Sequence, residues 1–485
     1  MKSNSRYFPR DIDLHLQTWK NDIHHKPLLL RGARQVGKSS AVRHLGESFA
    51  YFVEVNFERD PEIRQLFSAS LNPKEICSKL SAISNLPIQP GKTLLFFDEI
   101  QACLPAISSL RFFYEEYSEL HVVAAGSLLE FALQEIPSFG VGRIRSCYMY
   151  PFSFNEFLQA QGLDRLVTEK RNATVDHPML EPIHKKVTDY LRTFLLVGGM
   201  PESVKTWIEK SDYLACRNVQ NDILETYTDD FAKYKKRISP TILQQTLRSV
   251  ALQSGCKFMY SQVSPDMDPS KIKEALELLS MAGIIIPVTH TAANGVPLGA
   301  EENAKFRKYL FMDTGLLQRM LNLNMNNVLL STDINLVNKG TLAEVFAGLE
   351  LLKYGSCYER QKLYYWLRLE KGAQAEVDYV IAKNATIIPL EVKAGTKGSM
   401  QSLYRFMELK KSKFGIRISM ENFGRIGHIE IYPLYAVDHL KPELRSNHEH
   451  PKKINMIVSK PEQMTDDRRL TTVIRHPSSV LEPET

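Results

Sequence analysis

Two groups of residues in this chain have the types and spacing for chemistry. The first is Gly32-Ala33-Arg34-Gln35-Val36-Gly37-Lys38-Ser39, which fills the phosphate-binding pattern G-x-x-x-x-G-K-[ST] without a mismatch. Its glycines let the backbone turn and aim N–H groups at phosphate oxygens. Lys38 supplies a point charge, and the Ser39 hydroxyl suits a Mg2+ ion. Ser40 continues into a helix whose positive N-terminus faces the anion. A second apolar run, Thr93 to Phe97, ends in Asp98 and Glu99. In a parallel sheet these carboxylates fall beside the phosphate loop, Asp98 toward the metal shell and Glu99 toward an attacking water. A third run, His121 to Ala125, leads to Ser127, which suits either a sensor of the γ-phosphate or a helix N-cap. The implied ligands are a nucleoside triphosphate, ATP in the simplest case, and Mg2+.

The second group lies near the C-terminus. Ala375-Glu376-Val377-Asp378-Tyr379 reads as a strand, and Ile387 to Lys393 as another carrying Glu391 and Lys393 two residues apart. The two-residue period of a strand puts Glu391 and Lys393 on one face, where Asp378 can join them. Glu344, on an earlier helix, offers a further acid, and Gln401 and Tyr404 lie one turn apart on a later one. Two or three acids and a lysine can hold Mg2+ and activate water for phosphodiester hydrolysis. The same charges equally suit the solvated face of an antiparallel hairpin packed on the Tyr364-Tyr365-Trp366 strand.

Elements must position both groups. At 485 residues the chain is too long for one core, and roughly 150 residues per domain suggests about three. Residues 1–150 alternate strands and helices as an α/β nucleotide-binding core. Residues 151–237 read as a helical lid stopped internally by Gly198-Gly199-Met200-Pro201 and ending in the basic cluster Lys233 to Arg237. Residues 238–330 read as short helices followed by a strand and a turn at Ala292 to Val296, the order of a winged helix. Its helix with Lys271 and Lys273 is a candidate contact for DNA or RNA. A second α/β domain is expected at 331–440, and a polar tail at 441–485.

Composition narrows the classes. Apolar content of 44%, charged content of 24% and a net charge of +6 are ordinary for a globular chain; they permit a nucleic-acid patch without requiring one. The apolar runs are too short to span a bilayer, so no membrane role is expected. The first residues lack the apolar core of a secretory signal, which makes the cytoplasm the expected compartment. Six scattered cysteines with no C-x-x-C spacing read as buried small hydrophobes.

Taken together, the motifs resemble a family of bacterial and archaeal AAA-type P-loop ATPases related to the signal-transduction NTPases. The resemblance rests on Gly32 to Ser39, Phe97-Asp98-Glu99-Ile100-Gln101, Ala125-Gly126-Ser127, Gly142-Arg143, Tyr150 to Phe157 and Gly198 to Pro201. The C-terminal half is similar to the domain of unknown function that usually follows, with a fold like restriction endonucleases of the PD-(D/E)xK type. Glu344, Asp378, Glu391 and Lys393 fall on that motif. The resemblance further implies that Gly198 to Pro201 lies near the adenine and that Arg143 senses or completes a nucleotide site. It implies an ATPase switch or motor whose C-terminal domain binds or cleaves nucleic acid, or else a nucleotide-gated scaffold for a protein partner built on an inactive nuclease fold. A homo-oligomer is compatible with either.

Overall fold

Two sheets organise the chain, and the phosphate loop lies at the end of the first. The computed structural model describes residues 6–136, 140, 142–234, 237–322, 340–368, 375–395 and 399–440. The expected tail at 441–485, the start of the last domain at 331–339, and Lys235 and Lys236 of the basic cluster lie outside the described residues.

The N-terminal part runs α1 (Asp11–Asn21), β1 (Leu28–Arg31), α2 (Lys38–Gly46), β2 (Tyr51–Asn56), α3 (Arg64–Ala69), α4 (Pro73–Ser84), β3 (Thr93–Asp98), α5 (Leu104–Glu116), β4 (His121–Ala125), α6 (Leu129–Glu135) and β5 (Arg145–Tyr148). Its five strands are parallel, in the order β2-β3-β4-β1-β5. The apolar runs are continuous because both faces of this sheet are covered by helices. Leu28 and Leu30 pack into one core and Leu29 into another, and Leu94 and Phe96 part from Leu95 and Phe97 in the same way. All six residues of β3 are buried, which delivers Asp98 rigidly to the strand's C-terminal end beside the loop that follows β1.

Helices follow: α7 (Phe154–Ala160), α8 (Asp164–Asn172), α9 (Glu181–Val197), α10 (Pro201–Lys210) and α11 (Tyr213–Asp230). Helix α7 begins with a capping box, in which Ser153 Oγ accepts from the Glu156 amide and the Glu156 carboxylate accepts from the Ser153 amide. Gly198 stops α9 at φ 74° and ψ −175°, a conformation that favours glycine, and Pro201 opens α10.

The remaining elements are α12 (Pro240–Leu252), α13 (Pro269–Met281), β6 (Ile285–Thr291), β7 (Glu302–Phe311), α14 (Thr314–Met320), α15 (Thr341–Lys353), β8 (Leu363–Leu367), β9 (Glu376–Lys383), β10 (Thr386–Val392), α16 (Gln401–Lys410), β11 (Gly415–Ser419), β12 (Gly424–Ile426) and β13 (Ile429–Pro433). The antiparallel pair β6–β7, anticipated as a wing, forms no separate sheet. Strand β6 pairs in parallel with β8, so the hairpin is the edge of an eight-stranded mixed sheet ordered β12-β13-β11-β10-β9-β8-β6-β7. The fold is therefore mixed α/β, with an all-parallel sheet under the phosphate loop. One continuous apolar core runs from Phe8 through the helical region to Leu440, touching both sheets. Among the described residues no helix is long and apolar enough to cross a membrane.

Candidate functional site

The phosphate loop joins β1 to α2. Gly32 has φ 145°, and a Cβ there would sit 2.2 Å from the Met149 carbonyl oxygen, so only glycine fits. Lys38 is buried, and its Nζ donates to the loop's own carbonyls at Gly32 (2.9 Å) and Ala33 (2.7 Å). These partners are neutral. Burial therefore dominates and pulls the Lys38 ammonium down to about 8, with Glu99 and Asp98 only partly opposing it. Ser39 Oγ donates to Asp98 Oδ1 at 3.0 Å. Asn56 Nδ2 donates to the other Asp98 oxygen at 3.3 Å, and Arg43 approaches it at 3.8 Å. Burial, and then the nearby Glu99, raise the Asp98 carboxyl above the usual range, while the Ser39 bond opposes this.

Glu99 has a left-handed backbone, φ 50°, which turns its side chain off the end of β3. Gln101 Nε2 donates to Glu99 Oε2 at 2.6 Å, and Ser127 Oγ reaches the same oxygen at 3.3 Å. Ser127 thus touches Glu99 and precedes α6 without making its cap bond, the Leu128 cap position having no side-chain partner. A hydroxyl and a carboxylate in contact at Ser39 and Asp98, both hard oxygen donors beside a phosphate cradle, fit a Mg2+ ion that keeps several ligands from water and phosphate.

The loop is gripped from outside by residues that sequence reasoning missed. Arg10, buried just before α1, donates to Val36 O (3.2 Å), Tyr150 O (2.8 Å) and Glu156 Oε1 (2.9 Å), and stacks over Phe152 at 3.9 Å. Arg34 of the loop pairs with Asp230 at the end of α11 at 2.7 Å, and Tyr227 donates to the Arg34 carbonyl at 2.6 Å. Tyr150, Phe152 and Glu156 stood in the Tyr150 to Phe157 motif and Arg34 in the phosphate loop; Arg10, Tyr227 and Asp230 carry no local signal. The Gly198-Gly199 segment is fixed by Asp313, whose Oδ2 accepts from Gly199 N at 2.6 Å, and by Phe152 N donating to Gly199 O at 2.7 Å. Gly283, in the turn between α13 and β6, packs directly on the loop: a Cβ there would lie 3.2 Å from Ala33 Cβ. Beside this contact a cavity of about 550 Å3 opens between Ser127, Glu277, Gly283, Arg307 and Arg360.

Arg143 lies elsewhere. It ion-pairs with Glu115 near the C-terminus of α5, and the neighbouring Arg145 amide bonds Pro27 ahead of β1. That is the end of the sheet opposite the phosphate loop. The basic residues of α13 also differ from a free binding face: Lys271 pairs with Glu274 at 3.3 Å and Lys273 with Glu277 at 3.9 Å along the same helix. The cysteines divide, with Cys77, Cys103, Cys147 and Cys216 buried as expected, Cys357 half-buried and Cys256 exposed.

The C-terminal acids do come together, around a residue that was not anticipated. Lys308 of β7 is 1% exposed, and its Nζ donates to Glu344 Oε1 at 2.9 Å, ion-pairs with Glu376 and lies 3.9 Å from Asp378 Oδ1. Lys393 Nζ donates to Glu391 Oε1 at 2.6 Å, and the Val392 amide donates to Asp378 Oδ2 at 2.8 Å. Glu391, 5% exposed, keeps its other oxygen buried without a hydrogen bond. A solvated hairpin face is therefore not what Glu391 occupies, although β9 and β10 do form an antiparallel pair beside β8. Gln401 and Tyr404 are exposed on α16. Burial opposes the charge of Lys308, but Glu344, Asp378 and Glu376 outweigh it and hold the ammonium well above the ordinary lysine range. Burial and then the neighbouring Asp378 push Glu391 up to about 7, and burial pushes Glu344 up to about 8 against the pull of Lys308.

Comparison with known proteins divides the chain three ways. Residues 24–158 match an AAA domain, 188–327 a domain of unknown function (DUF8612), and 339–437 another domain of unknown function (DUF4143). The N-terminal sheet and its phosphate loop thus lie within the stretch that matches an AAA domain. No curated protein matches the chain. Among solved structures, the Walker-type ATPase of Pyrococcus abyssi is similar at 15% identity, with a TM-score of 0.43, covering 65% of this chain and 96% of that one. The ORC1 protein of Aeropyrum pernix in complex with DNA is similar at 13% identity and TM-score 0.29, covering 66% of this chain and 94% of that one. Cdc6p from Pyrobaculum aerophilum is similar at 11% identity and TM-score 0.25, covering 71% and 97%.

Proposed function

We infer that this chain binds and hydrolyses ATP as a switch or motor. The observation that carries the reading is the complete phosphate loop with Ser39 in contact with Asp98 and with Glu99 aimed beside them by Gln101 and Ser127. Lys38 would exchange the Gly32 and Ala33 carbonyls for phosphate oxygens, and its charge would be strengthened by them. Ser39 and Asp98 would hold Mg2+, which when bound neutralises charge on the phosphate oxygens. Glu99 would orient the attacking water and accept its proton, with Gln101 and Ser127 fixing the carboxylate's direction. Asp230, Arg10 and Gly283 contact the loop from three different parts of the chain, so a change of loop shape on hydrolysis has direct routes outward. Single-turnover ATP hydrolysis by Glu99→Gln tests this mechanism. A large loss of rate is expected, and a rate like that of the unaltered chain removes Glu99 from it.

For the C-terminal region we retain a restriction-endonuclease-like fold, supported by the meeting of Glu344, Asp378, Glu391 and Lys393 beside one sheet, and the winged-helix-like reading of residues 238–330, supported by the helices α12 and α13 followed by the antiparallel pair β6–β7. Between cleavage and scaffolding, the lysine-filled acid cluster favours a nucleotide-gated scaffold for a protein partner, with the cytoplasm as its compartment. An assay of DNA and RNA cleavage with Mg2+, comparing the unaltered chain with Asp378→Ala and Lys393→Ala, decides between them. Cleavage lost in both variants would restore the nuclease reading. From the far end of its own sheet, Arg143 would reach a nucleotide only in a second copy of the chain.

A further inference from the structure

A divalent cation needs an open point encircled by hard oxygen atoms at about 2.0–2.6 Å, and an ammonium group already at that point excludes it by volume and by charge. The C-terminal carboxylates meet this condition with a lysine in place of the opening. Lys308 Nζ bonds Glu344, contacts Glu376 and faces Asp378, while the second Asp378 oxygen is taken by the Val392 amide and one Glu391 oxygen by Lys393. Among the described residues no group of three or more His, Cys, Asp or Glu side chains is arranged to hold a metal ion. The acids fit the metal-binding motif in type, and they do not fit a metal in arrangement.

Lys308 is not a surface side chain that has folded in. Its backbone pairs with Val288 on β6 and bridges Lys257 on the other side, and the Tyr365 ring lies 5.1 Å from Nζ. A strand fixed on both flanks delivers the ammonium to the acids, so its position comes with the fold. Gly255, with φ 77°, lies where a Cβ would approach Glu344 Oε2 at 2.9 Å, closing the cluster from the α12 side.

We propose that Lys308 is the resident cation of this carboxylate cluster: it fills the metal position and makes the cluster a metal-free clamp that ties the β6–β7 hairpin to α15 and β9. The proposal is independent of the ATPase reading, because it concerns a cation and carboxylates remote in sequence from the phosphate loop. It is tested by titrating the full-length, nucleotide-free chain with Mn2+ and counting bound ions by electron paramagnetic resonance. The unaltered chain and Asp378→Asn are expected to bind the same number of ions. Lys308→Met is expected to gain one ion, bound at least tenfold tighter than any in the unaltered chain, and Lys308→Met with Asp378→Asn to lose it again. An ion bound by the unaltered chain and lost in Asp378→Asn would overturn the proposal, as would a folded Lys308→Met that gains none. Should Lys308→Met fail to fold, the comparison of the unaltered chain with Asp378→Asn still decides.

Discussion

The chain buries two lysines beside strand-end carboxylates, and it treats them in opposite ways. Lys38 rests on two backbone carbonyls, and burial pulls its ammonium down to about 8. Lys308 rests among carboxylates that hold its charge firmly. A buried cation whose nearest partners are neutral dipoles has lost its hydration for only a partial counter-charge, here from Glu99 and Asp98, so an incoming anion gains most of the attraction. A buried cation already matched by carboxylates offers an anion nothing. Its removal, however, leaves several acids with no compensation. The first arrangement suits a ligand site and the second a fixed joint.

The two substitutions that test this contrast should have opposite readouts. Lys308→Met is expected to lower unfolding free energy by about 3–5 kcal/mol, the usual cost of removing one partner of a buried ion cluster, measured by urea denaturation. Lys38→Ala should leave stability nearly unchanged and reduce kcat/KM for ATP by roughly 10²-fold or more, as loss of a phosphate-facing charge does. Equal losses of stability in both variants would erase the distinction.

Smaller effects sharpen it through pH. Because the free chain holds Lys38 at about 8 while bound phosphates would raise it, ATP binding should take up a proton above that pH. Affinity is then expected to fall as pH rises past about 8, by up to about tenfold per unit, with proton uptake read by calorimetry in buffers of different ionisation heat. At low pH the smallest effect belongs to Glu391. Its carboxyl is held at about 7 in the folded chain, above its ordinary 4.5, so its favourable contribution is whole below 4.5 and is lost as pH rises through about 7. Glu391→Gln should therefore change stability at low pH by under about 1 kcal/mol and flatten the decline across neutral pH in the same denaturation experiment.

Where the chemistry is encoded in consecutive residues, the sequence was readable. Gly32 to Ser39 form one turn, and the buried run ending at Asp98 announces both the strand and its polar tip. Strand periodicity and a short motif singled out Asp378, Glu391 and Lys393, with Glu344 added from a helix, and these four side chains do lie near one another around Lys308. Lys308 itself was not singled out, since it stands in an edge strand whose pattern of Lys, Phe, Arg, Lys and Tyr reads as an exposed wing. Only the parallel pairing of β6 with β8 brings it over the acids, and such pairing leaves no trace in local spacing. Arg10 and Asp230 escaped for the same reason: their partners are distant in the chain. Arg143 is adjacent to motif glycines, and the strand direction carries it to the end of the sheet opposite the phosphate loop, which no local spacing announces.

The apolar core that joins both sheets turns heat into a common signal for the whole described chain. Trp19 lies on α1 and Trp366 on β8, two of only three tryptophans in the sequence. Trp19 sits in the continuous core and Trp366 in a smaller apolar cluster with Val377, Val380 and Phe406, but the neighbouring Tyr365 and Tyr379 of the same sheet belong to the continuous core, so the two fluorescence transitions are expected to coincide. ATP would then shift both by the same amount, since ligand held at one loop stabilises everything that must unfold with it. A tryptophan in the C-terminal sheet thereby becomes a thermometer for occupancy of the phosphate loop.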